Sequence, residues 1–242
     1  MRYGIFSDIH SNFEALSAVI RAYQKENINT YLCIGDLVGY GANPIECIEK
    51  VKDLASFIVA GNHDWASVDL FSIDFLNPLA AEAILWTKKM LSDSDRAYLA
   101  SLKLVYKNDD LTLAHGTLDK PQEFSYMVDD YAASESFNWL ETNILFVGHT
   151  HVPGVFIQDK DGHIIYNRNN VTEVEPEKKY IVNVGSVGQP RDANPKAAYC
   201  VYDSDKKTVE IKRVPYDIET TANKIIHSGM PHFLADRLFE GR

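Results

Sequence analysis

Hydrophobic positions in the first sixty residues follow two alternating rhythms. Short apolar runs at Tyr3 to Ser7, Tyr31 to Ile34 and Phe57 to Ala60 have the length and side-chain types of buried strands. Between the first two, Phe13, Leu16, Val19, Ile20 and Tyr23 recur at helical spacing over about 12–25. A second helix is expected from Pro44 to about Leu54, opened by Asn43 with Pro44 at its first position. Gly35 and Gly61 end the second and third strands. This β-α-β-α-β order predicts a parallel sheet with helices packed on it.

The middle of the chain reads as helical, about 77–91 and then about 93–101. Strands are expected near 103–107 and 110–114 with Asn108-Asp109 turning between them, then a loop at 116–128, a helix near 129–140 and a strand at 144–147. The last third changes character. Val155–Gln158, Ile164–Asn167, Lys179–Val184, Ala197–Tyr202 and Val209–Val214 look like short strands joined by tight turns such as Asp161-Gly162, which predicts antiparallel sheet. A helical segment from about 217 closes the chain. No repeat or Pro/Gly/Ser linker interrupts it, so the simplest reading is one α/β domain with two sheets.

Composition narrows the function classes. The chain has 242 residues, 45% hydrophobic and 24% charged, as an ordinary globular protein has. A formal net charge of −10 argues against a protein that coats DNA or RNA. It leaves an anionic substrate open, because bound cations reverse the local field. Cys33, Cys47 and Cys200 are odd in number and widely spaced, which argues against a disulfide framework or a cysteine zinc site. The N-terminal residues are too few and too polar for a signal peptide, and no apolar run approaches a membrane span of roughly 20 residues. A cytoplasmic protein is expected, with no membrane partner.

Candidate chemistry recurs at strand ends. Asp8-Ile9-His10, Gly35-Asp36, Gly61-Asn62-His63-Asp64, His115-Gly116 and Gly148-His149-Thr150-His151 each follow a predicted strand at once. Singly these are ordinary turns and loops. Together they hold five of the eight histidines, at the edge of an α/β sheet where ligand sites form. Asp, Asn and His without Cys suit Mn²⁺, Fe²⁺, Zn²⁺, Ni²⁺ or Co²⁺.

The order and spacing resemble the calcineurin-like metallophosphoesterase superfamily, whose signature runs D-x-H, G-D, G-N-H-D/E, a lone H, and G-H-x-H. All five blocks are intact, and Asn183-Val184-Gly185-Ser186-Val187-Gly188-Gln189-Pro190-Arg191 resembles a further segment of its bacterial and archaeal phosphodiesterase-like branch. The resemblance implies two packed mixed β-sheets flanked by helices, in a single domain over 1–242 with a helical insertion at about 65–101 lining the cleft. It implies two divalent metal ions, manganese or iron favoured. Asp8, His10, Asp36 and His151 would hold one, and Asp36, Asn62, His115 and His149 the other. His63 would face the substrate as general acid or charge stabiliser, with Asp36 and Asn62 beside it. The implied reaction is hydrolysis of a phosphoester bond in a small phosphorylated molecule or nucleotide, by in-line attack of a metal-bridging hydroxide.

The flanks refine this expectation. Phosphoprotein phosphatases of the superfamily continue as G-D-x-V-D-R-G, whereas this chain reads Gly35-Asp36-Leu37-Val38-Gly39-Tyr40-Gly41. The Asp that pairs with the catalytic His is Gly39 here, and the phosphate-gripping Arg is Tyr40. That turns the expectation from protein phosphatases toward small-molecule esters. A symmetric diadenosine-tetraphosphate hydrolase is the alternative, and a non-catalytic scaffold is a third reading. Arg191 is a candidate phosphate contact or a solvated loop cation, and Asn12 is read as a helix cap. Trp65, Phe71, Phe124 and Tyr126 are read as core first and as platforms for a nucleobase second. His163, His227 and His232 are expected at the surface.

Overall fold

The computed structural model of the chain describes residues 1–242. In chain order its strands and helices are β1 (Arg2–Phe6), α1 (Phe13–Tyr23), β2 (Thr30–Cys33), α2 (Pro44–Leu54), β3 (Phe57–Ile58), α3 (Asn62–Ala66), α4 (Pro78–Met90), α5 (Asp93–Ser101), β4 (Val105–Lys107), β5 (Thr112–Ala114), α6 (Asp130–Trp139), β6 (Ile144–Val147), β7 (Gly154–Gln158), β8 (Ile164–Asn167), β9 (Val171–Glu173), β10 (Lys179–Asn183), β11 (Ala197–Asp203), β12 (Thr208–Val214), α7 (Ile218–His227) and α8 (Phe233–Glu240). They form two six-stranded mixed sheets, ordered β3-β2-β1-β11-β12-β9 and β4-β5-β6-β10-β7-β8.

Side-chain alternation builds the layers. Tyr3 and Ile5 of β1 point between the sheets, where they meet Ile144 and Phe146 of β6 and Tyr180 and Val182 of β10. Phe6 points the other way, into the layer with Leu16, Val19 and Tyr23 of α1 and Ile48 and Val51 of α2. On the second sheet, Leu145 and Val147 meet Ala133 and Phe137 of α6. Both sheets thus sit between helices, as expected. Each fully buried Val, Leu or Ile side chain stabilises this arrangement by about 1.5–3 kcal/mol relative to exposure. The three cysteines are free and buried. No helix is long and apolar enough to cross a membrane.

Three expectations need correction. The last third is not wholly antiparallel: β10 runs parallel to β6, from Tyr180 opposite Ile144 to Asn183 opposite Val147. β11 leaves that sheet and pairs antiparallel with β1 across the molecule. Strand β9 was not anticipated, because only Thr172 of its three residues is buried. The closing helix is two helices, broken where Gly229 takes a φ of +79° and Pro231 follows.

Strand direction positions the site. β1, β2 and β3 are mutually parallel in one sheet, and β5 and β6 are parallel in the other. All five candidate motifs leave the carboxyl ends of these strands. There the chain must turn sharply, and the left-handed backbone records the cost. Asp8, His10, Asp36, His149 and His151 have φ between +48° and +66°. Such residues cost on the order of 1 kcal/mol or more each, so the packed layers beneath must over-determine them.

Candidate metal centre

The loops after β1 and β2 are laced together. His10 and Ser11 donate their amides to the carbonyls of Asp36 and Leu37 at 2.9 Å each. The amide of His149 donates to both oxygens of Asp8 at 3.2 and 3.1 Å. The amide of His63, in the first turn of α3, donates to Asp36 Oδ1 at 2.8 Å. Gly61 permits this approach, since a Cβ there would collide with the Asp36 carboxylate. The two aspartates are therefore fixed by backbone donors from neighbouring motifs.

All seven expected ligand residues are buried and converge. Ligand atoms of Asp8, His10 and His151 form one group, and those of Asp36, His115 and His149 another, each within 4.8 Å. Asp36 Oδ2 lies 3.6 Å from His10 Nε2 and 3.3 Å from His115 Nε2, so one carboxylate joins the two groups. Asn62 adds a buried Oδ1 with no hydrogen-bond partner. His63 also approaches: a nitrogen of its ring falls in a third group with His10 and Asp36. His163, His227 and His232 are exposed, away from this cluster.

The ring orientations test whether cations fit. His10 Nδ1 meets the Val38 carbonyl at 3.1 Å, and His151 Nδ1 meets the Gln189 carbonyl at 2.6 Å. Carbonyls only accept, so both Nδ1 atoms carry the hydrogen. The Nε2 atoms face each other at 3.0 Å. Burial pushes His10 well below the ordinary imidazole range, and burial with the nearby Arg191 charge lowers His151. Two neutral rings thus present lone pairs to each other, an arrangement that a cation resolves. His115 has the same ring orientation, Nδ1 donating to the Ile34 carbonyl at 2.6 Å, but its Nε2 faces the Asp36 carboxylate at 3.3 Å. The donor set fits divalent cations.

Without cations, the electrostatics are divided. Burial raises Asp36, but His115 and His63 outweigh it and hold the carboxyl well below its usual range. Asp8 is likewise lifted by burial and pulled lower overall by His151 and His115. Burial lowers His115, yet Asp36 and Asp8 raise it overall to about 9. Burial and the His115 charge push His149 down to about 3.

Several residues not anticipated from the sequence complete the geometry. Buried Asp64 accepts from the amides of Leu37 at 2.8 Å and Gly61 at 2.9 Å, tying the loops after β2 and β3 together. Burial and the Asp36 charge raise it to about 7 despite those donors. Asp64→Ala is expected to lower stability by about 2–4 kcal/mol, because buried amides lose their acceptor. Denaturant midpoints of the metal-free proteins check this, and equal midpoints would contradict it. Its sequence signal is the Asp of the Asn-His-Asp block, which stands beside residues of ligand type and carries no mark of the amides it meets.

Tyr40 lies against both His10 and His63, with ring centroids 4.7 and 4.6 Å apart. Arg191 reaches the Tyr40 hydroxyl at 3.4 Å and Gln189 Oε1 at 2.8 Å. Arg237 of α8 lies over the same ring, its guanidinium carbon 6.0 Å from the centroid. Burial and the Arg191 charge lower Arg237 to about 10. No sequence motif marks Arg237; only the packing of α8 brings it there. Asn12 caps α1, accepting from the Ala15 amide at 3.0 Å as expected, and also donates to the Gly188 carbonyl at 2.9 Å.

Comparison with known proteins shows the family and the fold. Residues 1–207 match the model of the calcineurin-like phosphoesterase superfamily domain. An uncharacterized protein of Methanocaldococcus jannaschii is 40% identical over 242 residues, covering 98% of this chain and 97% of that one. The crystal structure of a metallophosphoesterase from Sphaerobacter thermophilus superposes with a TM-score of 0.87 at 36% identity, covering 100% of this chain and 99% of that one. A hypothetical protein from Pyrococcus horikoshii shares the fold at a TM-score of 0.79 and 19% identity, covering 100% and 98%.

Proposed function

Because the chain belongs to the calcineurin-like phosphoesterase superfamily, and is a phosphoric ester hydrolase, we propose that it cleaves a phosphoester of a small phosphorylated molecule at the Asp36-centred cluster. The observation that carries this reading is the pair of histidine groups around Asp36, with the Nε2 atoms of His10 and His151 turned toward each other at 3.0 Å and that of His115 turned to the Asp36 carboxylate.

In this reading Asp8, His10, Asp36 and His151 hold one divalent cation and Asp36, Asn62, His115 and His149 a second. When bound, the cations supply Lewis-acid activation of water and neutralise charge on the phosphoryl group. The chain's own residues do the rest. The carbonyls of Val38, Ile34 and Gln189 fix the histidine tautomers so that each Nε2 faces inward. Asn62 and His63 line the cleft and receive the phosphoryl oxygens. Arg191, held by Gln189 and Tyr40, takes the place of the absent Arg in the Gly-Asp block and faces the same anion. Residues 1–242 act as one domain, and the segment after α3 walls the cleft.

Loading of the site is expected to release protons. His115 is raised to about 9, so at pH 7.5 its Nε2 is protonated in the metal-free protein and must lose that proton to bind a cation. Calorimetric titration with Mn²⁺ in buffers of different ionisation enthalpy should show release of about one proton at pH 7.5. That release should shrink as pH rises through about 9. Buffer-independent enthalpy at pH 7.5 would contradict it.

The function itself is tested with a substrate panel in Mn²⁺: a diester, a monoester, a phosphopeptide and diadenosine tetraphosphate. Turnover of the small esters with the phosphopeptide untouched is the expected result. Preferential hydrolysis of the phosphopeptide would overturn the reading. Symmetric cleavage of diadenosine tetraphosphate to two ADP would narrow it to a dinucleoside-polyphosphate hydrolase.

A further inference from the structure

A cavity of about 690 Å³ opens beside the cluster. That volume falls within the roughly 300–1,000 Å³ of small-molecule sites and exceeds what one phosphate needs. Its inner end is formed by Asn62, His63 and His149, so an occupant can be covalently joined to a phosphate at the metal centre. Its walls come from two segments between the ligand motifs, 70–80 and 122–126. From this cavity we infer a subsite for a nucleobase carried by the alcohol portion of the phosphoester. The inference rests on the phosphoesterase reading and names the substrate class for it.

Aromatic geometry supports the assignment. Phe71 and Phe124 meet edge to face, with centroids 5.3 Å apart and planes at 88°. Tyr126 stacks on His149 at 4.0 Å and 11°, which occupies one face of its ring. Tyr126 remains 51% exposed. Leu70 and Phe75 at the mouth are 52% and 78% exposed. Apolar side chains exposed around a reactive cleft mark a surface completed by a ligand. Trp65, by contrast, does not line the cavity; it packs edge-on against Phe124 from behind.

The rim separates a base from a plain aryl group. Asn77 Oδ1 is occupied by the Ala80 amide at the start of α4, leaving its amide nitrogen for a ligand. Gln122 and Ser125 line the opposite segment and are exposed. A nucleobase edge offers these groups hydrogen bonds, and its face offers Phe71 and Tyr126 a stacking partner. Sequence specificity is not required for this, because every base has a π face.

Equilibrium binding to the Mn²⁺-loaded full-length protein tests the subsite without depending on turnover. AMP, phenyl phosphate and ribose 5-phosphate, each used as the phosphonate analogue with CH₂ in place of the ester oxygen so that the loaded enzyme cannot consume it, differ only in what the phosphoryl group carries. AMP is expected to bind at least about tenfold more tightly than ribose 5-phosphate. Phe71→Ala should collapse that ratio toward one, and Phe71→Leu, which keeps apolar volume without the ring, should lower it in the same direction. Phe71 is only half-buried, so both variants are expected to fold. Equal affinity for AMP and ribose 5-phosphate, or a ratio untouched by Phe71→Ala, would overturn the subsite. Phenyl phosphate binding as tightly as AMP would overturn the nucleobase assignment. Failure of the phosphoesterase reading shows separately, as no hydrolysis of any ester in the same Mn²⁺-loaded preparation.

Discussion

Asp36→Asn is expected to lower kcat/KM by roughly 10³-fold or more on every ester hydrolysed, and to reduce bound Mn²⁺ from about two ions per chain to one or fewer. The reason is geometric. Asp36 Oδ2 stands 3.6 Å from His10 Nε2 and 3.3 Å from His115 Nε2, closer to both halves of the cluster than Asp8 Oδ1, which is 3.8 Å from each. Asn keeps the Oδ1 acceptor for the His63 amide, so the loops after β2 and β3 stay in place. It replaces the second oxygen by an NH₂ group, which donates and cannot hold a cation. Metal analysis on the folded variant, with circular dichroism as a control, separates loss of ligation from loss of fold. Full metal content with full activity would remove Asp36 from the centre of the mechanism.

The residues that converge in the cluster were legible in the sequence because each sits at a predictable physical event. A buried strand ends, a glycine or polar residue turns the chain, and a ligand type follows. α2 was legible for the same local reason: Asn43 and Pro44 mark its start, and the observed helix runs Pro44–Leu54 as expected. Where long-range pairing decides, local pattern gave less. Nothing in Lys179–Asn183 announces that β10 runs parallel to β6, since its buried neighbours come from distant segments. The expected strand at 57–60 shortens to Phe57–Ile58, with Val59 held by an isolated bridge to Lys103. The expected strand at 103–107 is only Val105–Lys107. Arg237 and Asp64 were passed over for opposite reasons. Arg237 depends on how α8 docks, which no local signal encodes. Asp64 sat in plain view but acts on backbone amides, and no residue pattern shows where those amides point.

His63→Gln is expected to lower kcat/KM about 10²-fold, by nearly the same factor for p-nitrophenyl and alkyl leaving groups. The sequence left two roles open, proton donor or charge stabiliser, and the surroundings of the ring favour the second. His63 Nδ1 is buried without a partner. It faces Gly39, whose φ is +92° and where any Cβ would strike that nitrogen. The carboxylate that would keep such a ring cationic therefore has no room here. Burial comes first in lowering His63, the Asp36 carboxylate opposes it, and the Arg191 and His115 charges add to the lowering, so the ring falls to about 4. A group with a depressed pKa is protonated only below it, so His63 is neutral across pH 6–9. A neutral ring still donates one N–H to a phosphoryl oxygen, which stabilises developing charge whatever the leaving group. The pH–rate profile of the wild type should accordingly show no alkaline limb that His63→Gln removes. A loss that grows steeply with leaving-group basicity, or such a limb, would make His63 a cationic general acid and displace this account of the Gly39 opening.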